Sequence, residues 1–197
     1  MARTFVPGSR GISGHLEEEE RDLLRKVFGD VIQMLEPEAR ESEDPLVALT
    51  GIDPHAAPPR DAALRRLLPD GVKDGDEAAL EFRRLTERSL RESKIGSLRA
   101  ASLLLEGSEL QLNSEEARHL AMALNDVRLV VSERLEIRTE ADAEAVHAMH
   151  DWSKADDLEE YLSVLYNFVT WLQESLVQAM AYELDRTPDA AGEGEPS

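Results

Sequence analysis

The chain has 197 residues, 41 of them acidic and 22 basic, for a formal net charge of −19, and it contains no cysteine. Disulfides, thiol switches, cysteine nucleophiles and thiolate metal sites are excluded, and so large a negative charge disfavours direct contact with nucleic acid. The N-terminal MARTFVPGSRGISG lacks an apolar leader, and no uncharged run approaches the roughly 18 residues a membrane span needs. The expectation is a cytoplasmic protein without membrane contact, with one domain over residues 1–184.

Residues 1–16 read as extended, because Gly8, Gly11 and Gly14 oppose a helix while Ile12, Gly14 and Leu16 alternate with polar neighbours. A helix follows to about Leu35, with Leu24, Val27, Phe28, Val31 and Leu35 inward. Its first-turn glutamates, Glu17 to Glu20, suit the positive end of the helix dipole, which explains them without a binding role. Residues 36–60 hold five of the nine prolines and read as a connecting arm with at most one short helix, near Pro45 to Leu49.

A short helix at 60–68 ends at Pro69. In the loop beyond it, Asp70, Asp74, Gly75 and Glu81 fall at calcium-loop places, but Val72 and Ala78 fill two others, so a capped helix start is the better reading. The next helix, from about Glu77 to Leu105 with a bend expected near Gly96, carries a basic island. Arg83, Arg84, Arg88, Arg91, Lys94 and Arg99 stand there against Glu87 and Glu92. Spacings of 4 and 3 put Arg84, Arg88 and Arg91 on one face, making them candidates for binding a partner; the competing reading is a face balanced by the protein's own carboxylates.

Leu110 to Ile137 begins with a short alternating run, passes a capping box at Asn113 and Glu116, and continues as a helix with Leu120, Leu124, Val127, Val131 and Leu135 on one face. A shift of 96 residues lays HLEEEERDLLRKVFGDVIQML over QLNSEEARHLAMALNDVRLVV with six identities in 21 positions. The same strand-then-helix order recurs. This predicts two strand–helix units related by a pseudo-twofold axis, with Ile12 to Leu16 paired antiparallel to Glu109 to Leu112.

Residues 138–157 form a polar link with a short helix on which Glu144, His147 and His150 have i, i+3 spacing. They are weak metal candidates and the basis of an alternative reading as a metal-dependent enzyme. A helical di-metal site needs ligands from four helices, so no metal or cofactor is expected. Asp156 with Glu159 opens a long helix to about Leu184, read as the central core helix. Its seam of Leu158, Leu162, Leu165, Val169, Leu172 and Leu176 also suits self-association as a homodimer. Residues 185–197 read as a disordered acidic tail. With no phosphate loop, nucleophile elbow, zinc-ligand pair or basic recognition helix, a non-enzyme is expected. The fold class is mainly α: a single-domain multi-helix bundle with a small two-stranded antiparallel ribbon and the strand–helix pseudo-repeat.

Four blocks in order, DPLVALTGI (44–52), LLPDGVKDGDEAALEFRRLTERSLRESK (67–94), ALNDVRLVVSERLEI (123–137) and YNFVTWLQESLVQAM (166–180), resemble the actinobacterial AosR-like family, first catalogued as a domain of unknown function. The resemblance implies a cytoplasmic regulatory protein, encoded in some genomes beside a Clp-protease adaptor. It would bind an alternative sigma factor and tune transcription of stress and cysteine-synthesis genes; an adaptor role in Clp proteolysis is the alternative. The family's representative is taken to sense oxidation through a cysteine pair. This chain has none, so that device and its residues are not carried over.

Overall fold

The structure, a computed structural model, describes residues 2–36, 57–71, 76–148 and 157–186. Along the chain these form β1 (Arg3–Gly8), β2 (Gly11–His15), α1 (Glu18–Leu35), α2 (Ala62–Leu67), α3 (Asp76–Leu104), β3 (Glu109–Leu112), α4 (Ser114–Arg134), α5 (Glu140–His147) and α6 (Leu158–Arg186). The expected helix near Pro45, most of the 70–76 loop and all but the first two residues of the expected tail lie outside the described residues. Asp185 and Arg186 themselves belong to α6.

The sheet has three strands in the order β1-β2-β3, where the sequence reading expects two. The added strand is β1, an edge strand that tolerates Pro7 because one row of its backbone groups needs no ladder partner. A register shift between Arg3 and Val6 marks a bulge in its pairing with β2. Phe5, Ile12, Leu110 and Leu112 are buried on the sheet, while Ser13 and Gln111 are exposed, the alternation of a sheet packed on one face.

The predicted pairing of β2 with β3 is present, and its register agrees with the proposed repeat. Gly14 faces Leu110, two positions 96 residues apart, so the pair lies on the local twofold axis. Ile12 faces Leu112; its symmetry equivalent is Leu16 against Ser108, where the Leu16 amide donates to the Ser108 carbonyl at 3.1 Å. The helix starts correspond too. Glu20 accepts from the Glu17 amide at 2.9 Å, and Glu116 accepts from the Asn113 amide at 2.8 Å, each closing one side of a capping box.

Farther from the axis the two units diverge. Asp30 is exposed, whereas its counterpart Asp126 is buried where α3 covers α4 and Lys94 meets it.

The core is one cluster. Leu24, Phe28 and Leu35 of α1 meet Leu98, Ala101 and Leu105 of α3, Leu120, Leu124 and Val127 of α4, and Leu165, Val169, Leu172 and Leu176 of α6. Each such fully buried leucine or phenylalanine contributes about 1.5–3 kcal/mol relative to exposure. α4 is the hub, packing against α2, α3 and α6. α6 also covers β1, where the buried Phe5 amide donates to Ser175 Oγ at 2.6 Å. The predicted α6 seam is buried from Leu165 to Leu176, but Leu158 at its head is exposed. The described cap of α6 is Asp157, whose carboxylate accepts from the Glu160 amide at 2.9 Å; the Asp156 of the expected capping box lies outside the described residues.

α1 and α3 run antiparallel and cap each other. Arg21, in the first turns of α1, donates to the carbonyls of Leu105 and Glu106 at the end of α3, and Arg91 of α3 donates to the Leu35 carbonyl at the end of α1. α4 ends in a Schellman motif: the Ile137 amide donates to Ser132 O and the Glu136 amide to Glu133 O, with Glu136 in the left-handed region at φ 54°. α3 continues as helix through Gly96, and a Cβ there would meet open space. Gly96→Ala is therefore expected to raise stability by about 0.5–1 kcal/mol, read as a shift of the urea midpoint at unchanged slope.

Candidate functional site

The basic island occupies the N-terminal half of α3. Arg83 is its most deeply placed member, 5% exposed, and donates to the Leu68 carbonyl, to Asp70 at 2.7 Å and to Glu87 at 2.5 Å. It ties the end of α2 to α3. Glu87 in turn accepts two bonds from Arg91, whose third bond caps α1. Arg99 reaches Glu36 at 3.4 Å.

The three candidate partner-binding residues thus fall into two kinds. Arg91 is directed inward and held by Glu87 and the Leu35 carbonyl. Arg84 and Arg88 are more open, with side chains 39% and 44% exposed, and their ion pairs with Glu81 at 3.5 Å and Glu92 at 2.9 Å lie at the surface. Such exposed pairs are worth about 0–1 kcal/mol, so exchanging one for a partner's carboxylate costs little. Breaking the Arg91 contacts would expose the end of α1.

Glu144 and His147 lie one turn apart on the exposed face of α5, and the His147 ring is 6.1 Å from that of Tyr166. His150 lies outside the described residues. Among the described residues no group of three His, Asp or Glu side chains is arranged to hold a metal.

Two further constellations join residues distant in sequence. The first is the buried pair Lys94–Asp126, 2.6 Å apart between α3 and α4. Asp126 is 2% exposed, and its second carboxylate oxygen has no hydrogen-bond partner among the described residues. Burial pushes the Asp126 carboxyl above its ordinary value, against the pull of Lys94. A signal for it exists in the sequence: Asp126 continues a stripe with Ala123 and Val130, so a carboxylate sits where the helix turns inward.

The second is an arginine-lined groove beside the C-terminal end of α4, formed by Ala62, Arg65, Arg66, Glu133 and Arg138. Glu133 accepts from both terminal nitrogens of Arg138, at 2.7 and 2.6 Å, and from Arg66 Nε at 3.1 Å. The Arg138 hydrogen bonds, with Arg66 behind them, hold the Glu133 carboxyl below its usual range. Beside the groove Arg134 binds Asp61 at 2.6 Å; burial pushes the Asp61 carboxyl up, but Arg134 and the Leu64 amide outweigh it and the net is downward.

These features define a mainly α-helical protein whose distinctive chemistry is arginine–carboxylate pairing around a closed apolar core. Among the described residues no helix is long and apolar enough to cross a membrane. The chain belongs to the family described as Domain of unknown function (DUF2017), whose profile matches residues 2–180. It is similar to the oxidative stress regulator AosR of Mycobacterium tuberculosis strain H37Rv, 32% identical over 171 residues covering 78% of each chain. The AosR protein of Mycobacterium leprae is 33% identical over 164 residues, covering 75% of each. No solved structure matches the chain.

Proposed function

We propose that this chain is a non-enzymatic cytoplasmic regulator of the oxidative-stress response that acts by binding a protein partner, an alternative sigma factor. The observation that carries the reading is the similarity to proteins named as oxidative stress regulators over 78% of the chain. With no cysteine among its 197 residues, the chain takes its signal from something other than its own thiols. A formal charge of −19 favours fast encounter with a basic region of the partner, and Arg84 and Arg88 supply local charges of opposite sign that fix the orientation.

The test is retention of purified sigma factors, RNA polymerase core and the Clp adaptor on the immobilised full chain, with molar mass by light scattering to separate a homodimer from a monomer. An alternative sigma factor is expected to be retained. The double charge reversal Arg84→Glu/Arg88→Glu should weaken that retention by about tenfold or more while leaving the melting temperature unchanged. Retention of the Clp adaptor alone replaces this reading with the adaptor role; retention of none of these proteins overturns it.

A further inference from the structure

The groove beside α4 has a volume of about 330 Å3 and is lined by three arginines and one glutamate. The lining side chains carry three positive charges and one negative, and Glu136 and Asp142 also act on Arg138 from beside the groove. The guanidiniums come from two separate places, Arg65 and Arg66 on α2 and Arg138 just beyond α4. Glu133, its side chain only 10% exposed, anchors two of them: Arg138 through both terminal nitrogens and Arg66 through Nε. The terminal nitrogens of Arg66 take no part in that bond.

Arg65 is different from both. Among the described residues it meets no carboxylate, and its Nη1 reaches only the carbonyls of Pro59 and Arg60, at 3.4 and 3.5 Å. Bonds that long hold a guanidinium weakly. Pinning α2 to α4 is already achieved by Arg66 with Glu133 and by Arg134 with Asp61, so Arg65 is not needed for it.

We propose that this groove binds a phosphate monoester, its dianionic phosphoryl group held by Arg65 and the terminal nitrogens of Arg66, with Arg138 fixed beside them by Glu133. The weakly held Arg65 guanidinium and the terminal nitrogens of Arg66 supply cationic donors, and planar guanidiniums present paired donors that suit phosphoryl oxygens. Among the described residues Ala62 is the only apolar one lining the groove, so recognition falls on the charged group and not on a ring or chain attached to it. A nucleic-acid backbone is disfavoured by the chain's net charge of −19. The bearer is either a small phosphorylated metabolite or a phosphorylated side chain of a protein.

The experiment is calorimetric titration of the full chain at constant ionic strength, with sodium chloride as the matched control. Inorganic phosphate is expected to bind saturably. Arg65→Ala, which breaks no ion pair of the described residues, should weaken that binding by about tenfold or more, while Arg99→Ala, outside the groove, should leave it unchanged. Glucose 6-phosphate and a phosphoserine peptide then separate the bearers: whichever binds more tightly than inorganic phosphate identifies the source, and equal affinity of all three assigns the free anion. No saturable binding beyond the chloride control, or binding that survives Arg65→Ala, overturns the proposal. Loss of sigma-factor retention bears only on the regulatory role and leaves this result standing.

Discussion

Replacing Lys94 by methionine is expected to lower the stability of the fold by about 3–5 kcal/mol, and adding Asp126→Leu to the same chain to recover most of that loss. The reason is the asymmetry of a buried pair. Lys94 is the only hydrogen-bond partner that the inward Asp126 carboxylate has among the described residues, and one of its oxygens is already unsatisfied. Removing the lysine leaves a desolvated charge among apolar neighbours, whereas removing both charges replaces the pair with packing. Urea unfolding of the two single variants and the double variant closes the cycle. A Lys94→Met loss below about 1 kcal/mol would show that Asp126 is solvated.

The same pair has a pH signature whose sign is fixed by burial. The folded-state pKa of Asp126 is raised above its ordinary 3.8, so the folded chain holds this proton more tightly than the unfolded chain does. The stabilisation from that proton is fully present below 3.8 and is lost as the pH rises through the folded value. Asp126→Asn does not titrate. Plotted against pH, the stability of the wild type minus that of the asparagine variant should fall across this window; a flat difference would exclude the raised value.

Gly11→Ala should cost at least about 1–3 kcal/mol from backbone strain alone. Gly11 sits at φ 103°, a conformation open to glycine and strained for any side chain. An alanine Cβ there would also lie 2.2 Å from the Leu112 carbonyl oxygen, which is backbone of the β2–β3 ladder and not a side chain that can swing away. The matched comparison is Gly96→Ala, expected to change stability in the opposite direction. Equal denaturant midpoints for Gly11→Ala and the wild type would mean that the first hairpin has a different geometry.

The elements most legible in the sequence are those whose information is local. α4 combines a capping box at Asn113 and Glu116 with an apolar stripe and begins where that pattern places it, while α1 begins at Glu18 because Glu17, read as part of its first turn, is its N-cap. The β2–β3 pairing was legible for a less common reason, because the 96-residue self-similarity marked the two segments as equivalent neighbours; their register is seen only in the structure. β1 is harder to see: Thr4, Phe5, Val6 and Pro7 do not alternate, and only Phe5 among them is buried. The exposed Leu158 shows the limit of a seam read by spacing alone, since a heptad position at a helix end has no neighbour to cover it.

For the surfaces, sequence proximity was the obstacle. A search for clustered charge finds the run from Arg83 to Arg99 and misses a groove whose arginines are separated by more than 70 positions, at Arg65, Arg66 and Arg138. Spacing on α3 also could not tell Arg91 from Arg84 and Arg88. That distinction depends on which way α1 ends, with the Leu35 carbonyl directed at Arg91.

The mutual capping of α1 and α3 has a consequence for the order of folding. Strands β2 and β3 are joined by nearly a hundred residues, an interval whose closure is entropically unfavourable for a free chain. Once α1 lies against α3 with Arg21 over Leu105 and Glu106, however, Leu16 and Ser108 are already side by side, and the strands need only close a short gap. An α1–α3 pair that forms first would serve as the jig in which the sheet is assembled. Weakening it, as in Arg21→Ala, should slow refolding more than it speeds unfolding, placing the α1–α3 contact in the folding nucleus.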